Sequence, residues 1–255
     1  MTEASAAVLL RTLPLGEADL LVVLHTERWG KVRAAARSAR RSKRRFAGGL
    51  AIGSVGTAEL HATRGALWRL DGFVPRIDHG AIGRDLDRFA FVAYMCELTD
   101  ALVEEHHPQP DLHHAFELAL TVTIAETPDA LALRRYEIAL LHHLGLLPAF
   151  ALCCVCGAET EHAGTSALPF DALRGGVLCP AHARGAEAQP AALLRLAAAL
   201  HSGAAFDSPT PLVRRALRDL LLAQIRGHLR QPLRSVELFA HLGQTRAGAA
   251  ADGAA

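Results

Sequence analysis

Apolar residues along the first 80 positions come in short runs with a period near two, and after Pro75 their spacing lengthens to that of helices. Residues 6–13 are apolar and β-compatible, 20–26 (LLVVLHT) form a buried-strand run, and 31–37 (KVRAAAR) alternate. Trp29-Gly30 separates the second run from the third and predicts a tight hairpin, because glycine tolerates the positive φ such turns need. Residues 55–62 and 67–74 continue the pattern around a TRGA turn at 63–66. Five short strands in about 75 residues predict a small barrel, for which the OB-fold is the commonest five-stranded form and an SH3-like barrel the alternative.

Residues 84–105 place Leu86, Phe89, Phe91, Val92, Met95, Leu98 and Leu102 at helical spacing. Two further helices are predicted over 111–126 and 129–147, the latter begun by Thr127-Pro128-Asp129 and stopped by Pro148. The stretch 153–182 is Gly-rich and non-periodic; helical spacing resumes over 190–201 and 210–229, with a short last helix near 236–242. Residues 244–255 are of low complexity and read as disordered.

Apolar residues make up 51% of the chain and charged ones 21%, the composition of a globular protein. The net charge of +1 conceals an asymmetry. Residues 1–80 hold 13 Lys and Arg against 7 Asp and Glu, whereas the remaining 175 hold 14 against 19. A basic front and an acidic back suggest a polyanionic partner for one part only. Glu3 stands where a secretory n-region would be positive, and the apolar stretch 6–10 is too short for an h-region. A cytoplasmic protein is expected, and in a reducing compartment clustered cysteines are read first as metal ligands.

Eight cations fall between positions 31 and 45 with no carboxylate among them: Lys31, Arg33, Arg37, Arg40, Arg41, Lys43, Arg44 and Arg45. Strand parity places Lys31, Arg33 and Arg37 on one face. The stretch 38–45 has no apolar side chain larger than Ala39 to pin it, so it reads as a mobile loop. Laid along phosphates, such a run releases condensed counterions, and the predominance of arginine suits bidentate phosphate contacts. Candidate stacking aromatics are few (Trp29, Phe46, Trp68 and Phe73, the last read as core), which favours contacts to the backbone over sequence readout.

Cys153 and Cys156 form C-x2-C, and Cys179 and His182 form C-x2-H after 22 intervening residues. Two such knuckles bring four ligands to one tetrahedral point, and zinc is the expected metal. Four protein ligands leave no open position for water or substrate, so the zinc is expected to be structural, with a metal-coupled folding energy of about 10–16 kcal/mol. Cys154 would replace Cys153 only by distorting the knuckle, and Cys96 lies on the apolar side of its helix. The expected class is therefore α+β: a five-stranded barrel over 1–80, taken as an OB-fold with the SH3-like form still open, then an all-α C-terminal domain over 81–243 with a zinc-binding insertion at 150–186.

Signatures of catalysis do not survive inspection. His25-Thr26-Glu27 matches half of a deaminase signature, yet no proline precedes Cys153 and His25 sits in a strand. The pairs His106-His107, His113-His114 and His142-His143 point about 100° apart on a helix and cannot chelate as i,i+4 ligands do. Phosphate-binding and nucleophile-elbow motifs are absent from the sequence. No catalytic residue is assigned.

The order of these features resembles the RecO family of bacterial DNA repair proteins, which are recombination mediators. The resemblance rests on residues 16–46 (GEADLLVVLHTERWGKVRAAARSARRSKRRF), 141–157 (LHHLGLLPAFALCCVCG), 174–182 (RGGVLCPAH) and 233–239 (LRSVELF), and covers about 6–242. It implies binding of single- and double-stranded DNA, annealing of complementary strands, and displacement of single-strand-binding protein with help from RecR so that RecA can load at gaps. It also implies a nucleoid-associated protein. His182 departs from the second C-x2-C usual in zinc-holding members. Two readings from other classes share parts of the pattern: a zinc-dependent nucleic-acid hydrolase and an RNA-binding OB protein.

Overall fold

Alternation along the first strands decides what the barrel encloses. The computed structural model describes residues 2–42, 44–46, 50–77, 79–160 and 165–239. In it β1 (Glu3–Leu15), β2 (Asp19–Thr26), β3 (Gly30–Ala36), β4 (Val55–His61) and β5 (Trp68–Pro75) close into a barrel in the order β1-β2-β3-β5-β4. A simple meander would seat β4 beside β3; here β5 stands between them, parallel to β3 through Ala34↔Trp68 and Ala35↔Arg69. That crossover gives the Greek-key order of an OB barrel and removes the SH3-like alternative. A register shift between Leu9 and Arg11 bends the 13-residue β1, which pairs with β4 along its first half and with β2 along its second.

Inward positions are the ones the period of two selects. Val32, Ala34 and Ala36 of β3 join Ala7, Leu9, Val22, Leu24, Ala58, Leu60, Leu70 and Phe73 in the interior. Phe46, from the connection between β3 and β4, completes this core at 3% exposure. Burying one such ring contributes about 1.5–3 kcal/mol.

A 3-10 turn (His79–Arg84) leads into α1 (Leu86–Leu102) and α2 (Pro110–Ala125). Asp85 caps α1 by accepting from the N–H groups of Asp87 and Arg88, and Pro110 sits in the first turn of α2. Gly53, at φ +80, approaches Val92 of α1 so closely that a Cβ there would collide. The chain returns to α1 near its end, where the Glu97 carboxylate accepts from the N–H groups of Arg234 and Ser235 and from the Ser235 hydroxyl, at 2.6–3.0 Å. Phe239 then meets Phe91 and Tyr94 edge-on. The expected last helix corresponds to a helical turn over 235–239; the rest of it and the low-complexity tail lie outside the described residues.

These elements, 1–129 with 229–255, make one compact unit, and 130–228 make a second. The second contains α3 (Ala130–His143), β6 (Ala167–Asp171), β7 (Gly176–Val177), β8 (Glu187–Pro190), α4 (Ala191–Ser202) and α5 (Pro211–Arg226). Leu133, Tyr136, Ile138 and Leu141 of α3, Leu193, Leu194 and Leu200 of α4, and Leu217, Leu221 and Ile225 of α5 are buried, giving the three helices a shared core. The Gly-rich stretch read as non-periodic contributes to a three-stranded sheet in the order β7-β6-β8. Strands of 2–5 residues are too short for alternation to register in a sequence. No described helix is long and apolar enough to cross a membrane.

Candidate nucleic-acid interface and metal centre

Odd positions of β3 point away from the barrel core, yet they do not share one environment. Lys31 is 8% exposed; its Nζ donates to the Asp100 carbonyl at 2.5 Å and lies 3.4 Å from the Asp100 carboxylate. Arg11 reaches the same carboxylate at 3.3 Å. Arg33 is exposed and paired with Glu105 at 2.7 Å. Strand parity correctly separates these side chains from the core but gives no sign that the end of α1 covers Lys31.

The cations beyond β3 are held more firmly than a bare loop would be. The Ser38 N–H donates to Asp19 Oδ1 at 2.7 Å, and the Arg40 N–H donates to the Ala18 carbonyl at 3.1 Å. Arg41 and Ser42 both donate back to the Ser38 carbonyl, closing one turn. At the far side the Arg45 guanidinium donates to the Arg37 carbonyl at 2.6 Å and lies 5.2 Å from the Phe46 ring centroid. The Phe73 N–H donates to the Arg45 carbonyl at 3.0 Å, so the connection is bonded to β5 where Phe46 enters the core. The mobile loop expected for 38–45 is thus a folded turn in its described residues. Its anchors are Asp19, Ala18 and Phe73, all distant in sequence.

Arg37, Arg40, Arg41, Arg44 and Arg45 are all exposed on this connection. Among the described residues, Arg40, Arg41 and Arg44 make no side-chain hydrogen bond or ion pair. Lys43 lies outside the described residues. Anchoring the backbone while leaving the guanidinium groups in water lowers the ordering cost of a polyanion contact. Of the four candidate aromatics, Phe46 and Phe73 are core, while Trp29 and Trp68 are half-buried at the starts of β3 and β5.

In the second unit, Cys153, Cys156, Cys179 and His182 offer one ligand atom each, all within 4.8 Å of one another. The Gly157 N–H donates to the Cys153 carbonyl and the His182 N–H to the Cys179 carbonyl, closing both knuckles, and Gly157 takes φ +72. Cys154 N–H bonds to the Val177 carbonyl at 2.9 Å and ties the two arms together. Gly176 passes Ala149 so closely that a side chain would strike its carbonyl.

The spacings fit a tetrahedral ion. Bonds of about 2.3 Å to sulfur and 2.0 Å to nitrogen require S–S edges of about 3.8 Å and S–N edges of about 3.5 Å. Cys156 Sγ lies 3.8 Å from Cys179 Sγ, and His182 Nδ1 lies 3.6 Å from Cys153 Sγ and 3.2 Å from Cys179 Sγ. Burial pushes the Cys153 thiol up, but backbone N–H donors from Cys179, Cys156 and Val155 outweigh it and bring the thiol down to about 5. The group can hold a metal ion. Cys154 is not part of it; its side chain lines a neighbouring cavity of about 630 Å³ with His142, Arg174 and His201.

Several histidines find ring partners on other elements. His25 of β2 and His113 of α2 stack, with ring centroids 5.3 Å apart and Nδ1 atoms 3.1 Å apart. Burial, then His113 and Lys31, hold the His25 imidazolium down to about 3, and burial lowers His113 as well. His142 meets His201 at 4.6 Å. His106, which the sequence groups with the other paired histidines, stacks on Trp68. Cys96 is buried and its thiol is pushed upward by that burial.

Comparison with known sequences accords with this arrangement. Residues 1–73 match the family described as Recombination protein O N terminal, and 83–237 match Recombination protein O C terminal. The chain is 38% identical to the DNA repair protein RecO of Myxococcus xanthus (strain DK1622) over 240 residues, covering 93% of this chain and 96% of that protein. It is 35% identical to RecO of Anaeromyxobacter sp. (strain K) over 244 residues, covering 92% and 95%. With RecO of Koribacter versatilis (strain Ellin345) the identity is 30% over 247 residues, covering 94% and 98%. An OB-type barrel, helices and a cysteine-histidine cluster in this order, with similarity spanning nearly the whole length, place the chain in the RecO family of DNA repair proteins.

Proposed function

We propose that this protein binds single- and double-stranded DNA through the arginine-bearing connection of its barrel and anneals complementary strands. Acting with RecR on DNA covered by single-strand-binding protein, it would help RecA load at single-stranded gaps, in the cytoplasm and at the nucleoid. The observation that carries this reading is the set of exposed arginines at 37, 40, 41, 44 and 45, displayed on a backbone bonded to the barrel at both ends. Annealing makes and breaks no covalent bond. It requires two anionic strands held close at reduced repulsion, which solvent-facing guanidinium groups on an anchored backbone supply by displacing counterions.

The metal would be zinc, which three thiolates and an imidazole suit by softness and geometry. Cys153, Cys156, Cys179 and His182 would hold it as a brace for the insertion. A complete four-ligand set favours structural over hydrolytic use, and hence a mediator that is not an enzyme.

The test uses the full-length protein with labelled complementary oligonucleotides. Binding of both DNA forms and accelerated annealing are expected, and Arg40→Ala/Arg41→Ala/Arg44→Ala should weaken both. Unchanged binding in that variant would overturn the assignment of the surface. Preference for matched RNA, or strand cleavage abolished by a chelator, would overturn the function itself.

A further inference from the structure

Four side chains from three separate segments form one contiguous row on the barrel unit. The Arg28 guanidinium carbon lies 4.8 Å from the Trp29 ring centroid. Trp29 meets Trp68 at 5.1 Å with planes tilted by 53°. Trp68 in turn stacks with His106 at 6.1 Å and 22°. Trp29 immediately precedes β3, Trp68 opens β5, and His106 follows α1. In the parallel register Trp68 lies opposite Ala34, while Trp29 sits in the turn that precedes Gly30.

The backbone holds His106 in place. Its N–H donates to the Lys31 carbonyl at 2.9 Å, and Glu105 forms a parallel bridge with Lys31. Gly30, at φ +64, lies so near the His107 carbonyl that a Cβ would collide, so a side chain at 30 would displace the segment. His106 itself takes φ +59, a left-handed conformation rare outside glycine. Such conformations persist where the surroundings over-determine them, and they concentrate at binding sites. An exposed imidazole is thereby presented beside two half-buried indoles. Arg33, paired with Glu105, and Arg64, on the loop before Trp68, are exposed near these segments in the chain.

We infer that Trp29, Trp68 and His106 form a stacking platform for the unpaired bases of a single strand. The chemistry selects this ligand. Flat π surfaces flanked by guanidinium groups match a nucleobase with its phosphates and are indifferent to which base it is. Duplex bases already stack on one another and cannot use the row without unpairing. The platform therefore gives the barrel a means of telling single strands from duplexes, which phosphate contacts alone do not supply. This inference rests on the proposed DNA binding and adds a base-contacting subsite to it.

The chain has only two tryptophans, both in the row, so its indole emission reports on the platform alone. In the full-length protein at low salt, oligo-dT should quench that emission, and an abasic oligonucleotide of equal length or a duplex should leave it nearly unchanged. His106→Ala should weaken oligo-dT binding about fivefold or more, as loss of base stacking does, with duplex affinity retained. Trp68→Phe, which keeps a ring on the core, should bind oligo-dT more nearly like the parent than His106→Ala does. Oligo-dT binding with unaltered emission and an unaffected His106→Ala variant would overturn the platform while leaving the DNA-binding reading intact. Absence of binding to either DNA form would overturn both.

Discussion

Lys31 Nζ donates to the Asp100 carbonyl at 2.5 Å, with the carboxylate of the same residue 3.4 Å away. A residue that belongs by sequence to the run of cations therefore joins β3 to the end of α1. Its hydrogen bonds are made inside the protein, and Arg11 shares their acceptor residue.

Lys31→Met should consequently act on stability before it acts on DNA. Removing the donor leaves a partly buried carbonyl and carboxylate short of a partner, which costs about 1–3 kcal/mol. Urea titration should show a lower midpoint with an unchanged m value. The salt dependence of DNA binding by the folded fraction should change less than in Arg40→Ala.

Arg40, Arg41 and Arg44 should behave in the opposite way. Each replacement by alanine should leave stability within about 0.5 kcal/mol of the parent, as exposed substitutions do. Each should also reduce the slope of log affinity against log salt by about 0.7–0.9 for every phosphate that is no longer neutralised. Affinities measured across a series of salt concentrations decide this.

Arg45 combines the two behaviours. Arg45→Lys keeps the charge but loses the planar fork that reaches the Arg37 carbonyl while lying over Phe46. Faster amide exchange over the described residues of 38–46, with the salt slope nearly preserved, is the expected outcome.

The His25–His113 pair predicts acid sensitivity. Both rings are held neutral in the fold, His25 down to about 3, whereas in the unfolded chain they protonate near 6.5. The unfolded state thus binds more protons below about pH 6.5, so stability is complete above that value and is lost as pH falls toward the folded pKa values. The loss should approach about 1.4 kcal/mol per pH unit for His25, with His113 adding in the same direction. With the two Nδ1 atoms 3.1 Å apart, one ring must donate and the other accept, and double protonation removes that bond. His25→Leu should flatten the fall in urea midpoint between about pH 6.5 and about pH 4.5.

Metal analysis should return one zinc per chain. Cys154→Ser should retain it, because that side chain faces a different cavity, whereas Cys179→Ser should lose it and expose the insertion to proteolysis. His182→Cys should keep the metal, since thiolate and imidazole both suit a tetrahedral zinc site.

Much of this was legible in the sequence. The barrel strands announced themselves because Val32, Ala34 and Ala36 alternate with neighbours that point away from the barrel core, and Cys153, Cys156, Cys179 and His182 because knuckle spacing is a local constraint. What escaped depends on distant partners. Nothing near Ser38 indicates that Asp19 will anchor it, and nothing near Lys31 indicates Asp100. The sheet formed by β6, β7 and β8 was hidden by its brevity. His106 was hidden because its stacking partner, Trp68, is far away in the chain, on a strand whose course only the tertiary structure defines.

The parallel junction of β3 and β5 is far shorter than its neighbours, comprising two residue pairs where β2 and β3 share seven. The connection that follows β3 extends this short seam: its Arg45 carbonyl accepts from the Phe73 N–H of β5, and the Arg45 guanidinium reaches back to the Arg37 carbonyl at the end of β3. The arginines that face solvent are thus carried by the same stretch that fastens the closing edge of the barrel.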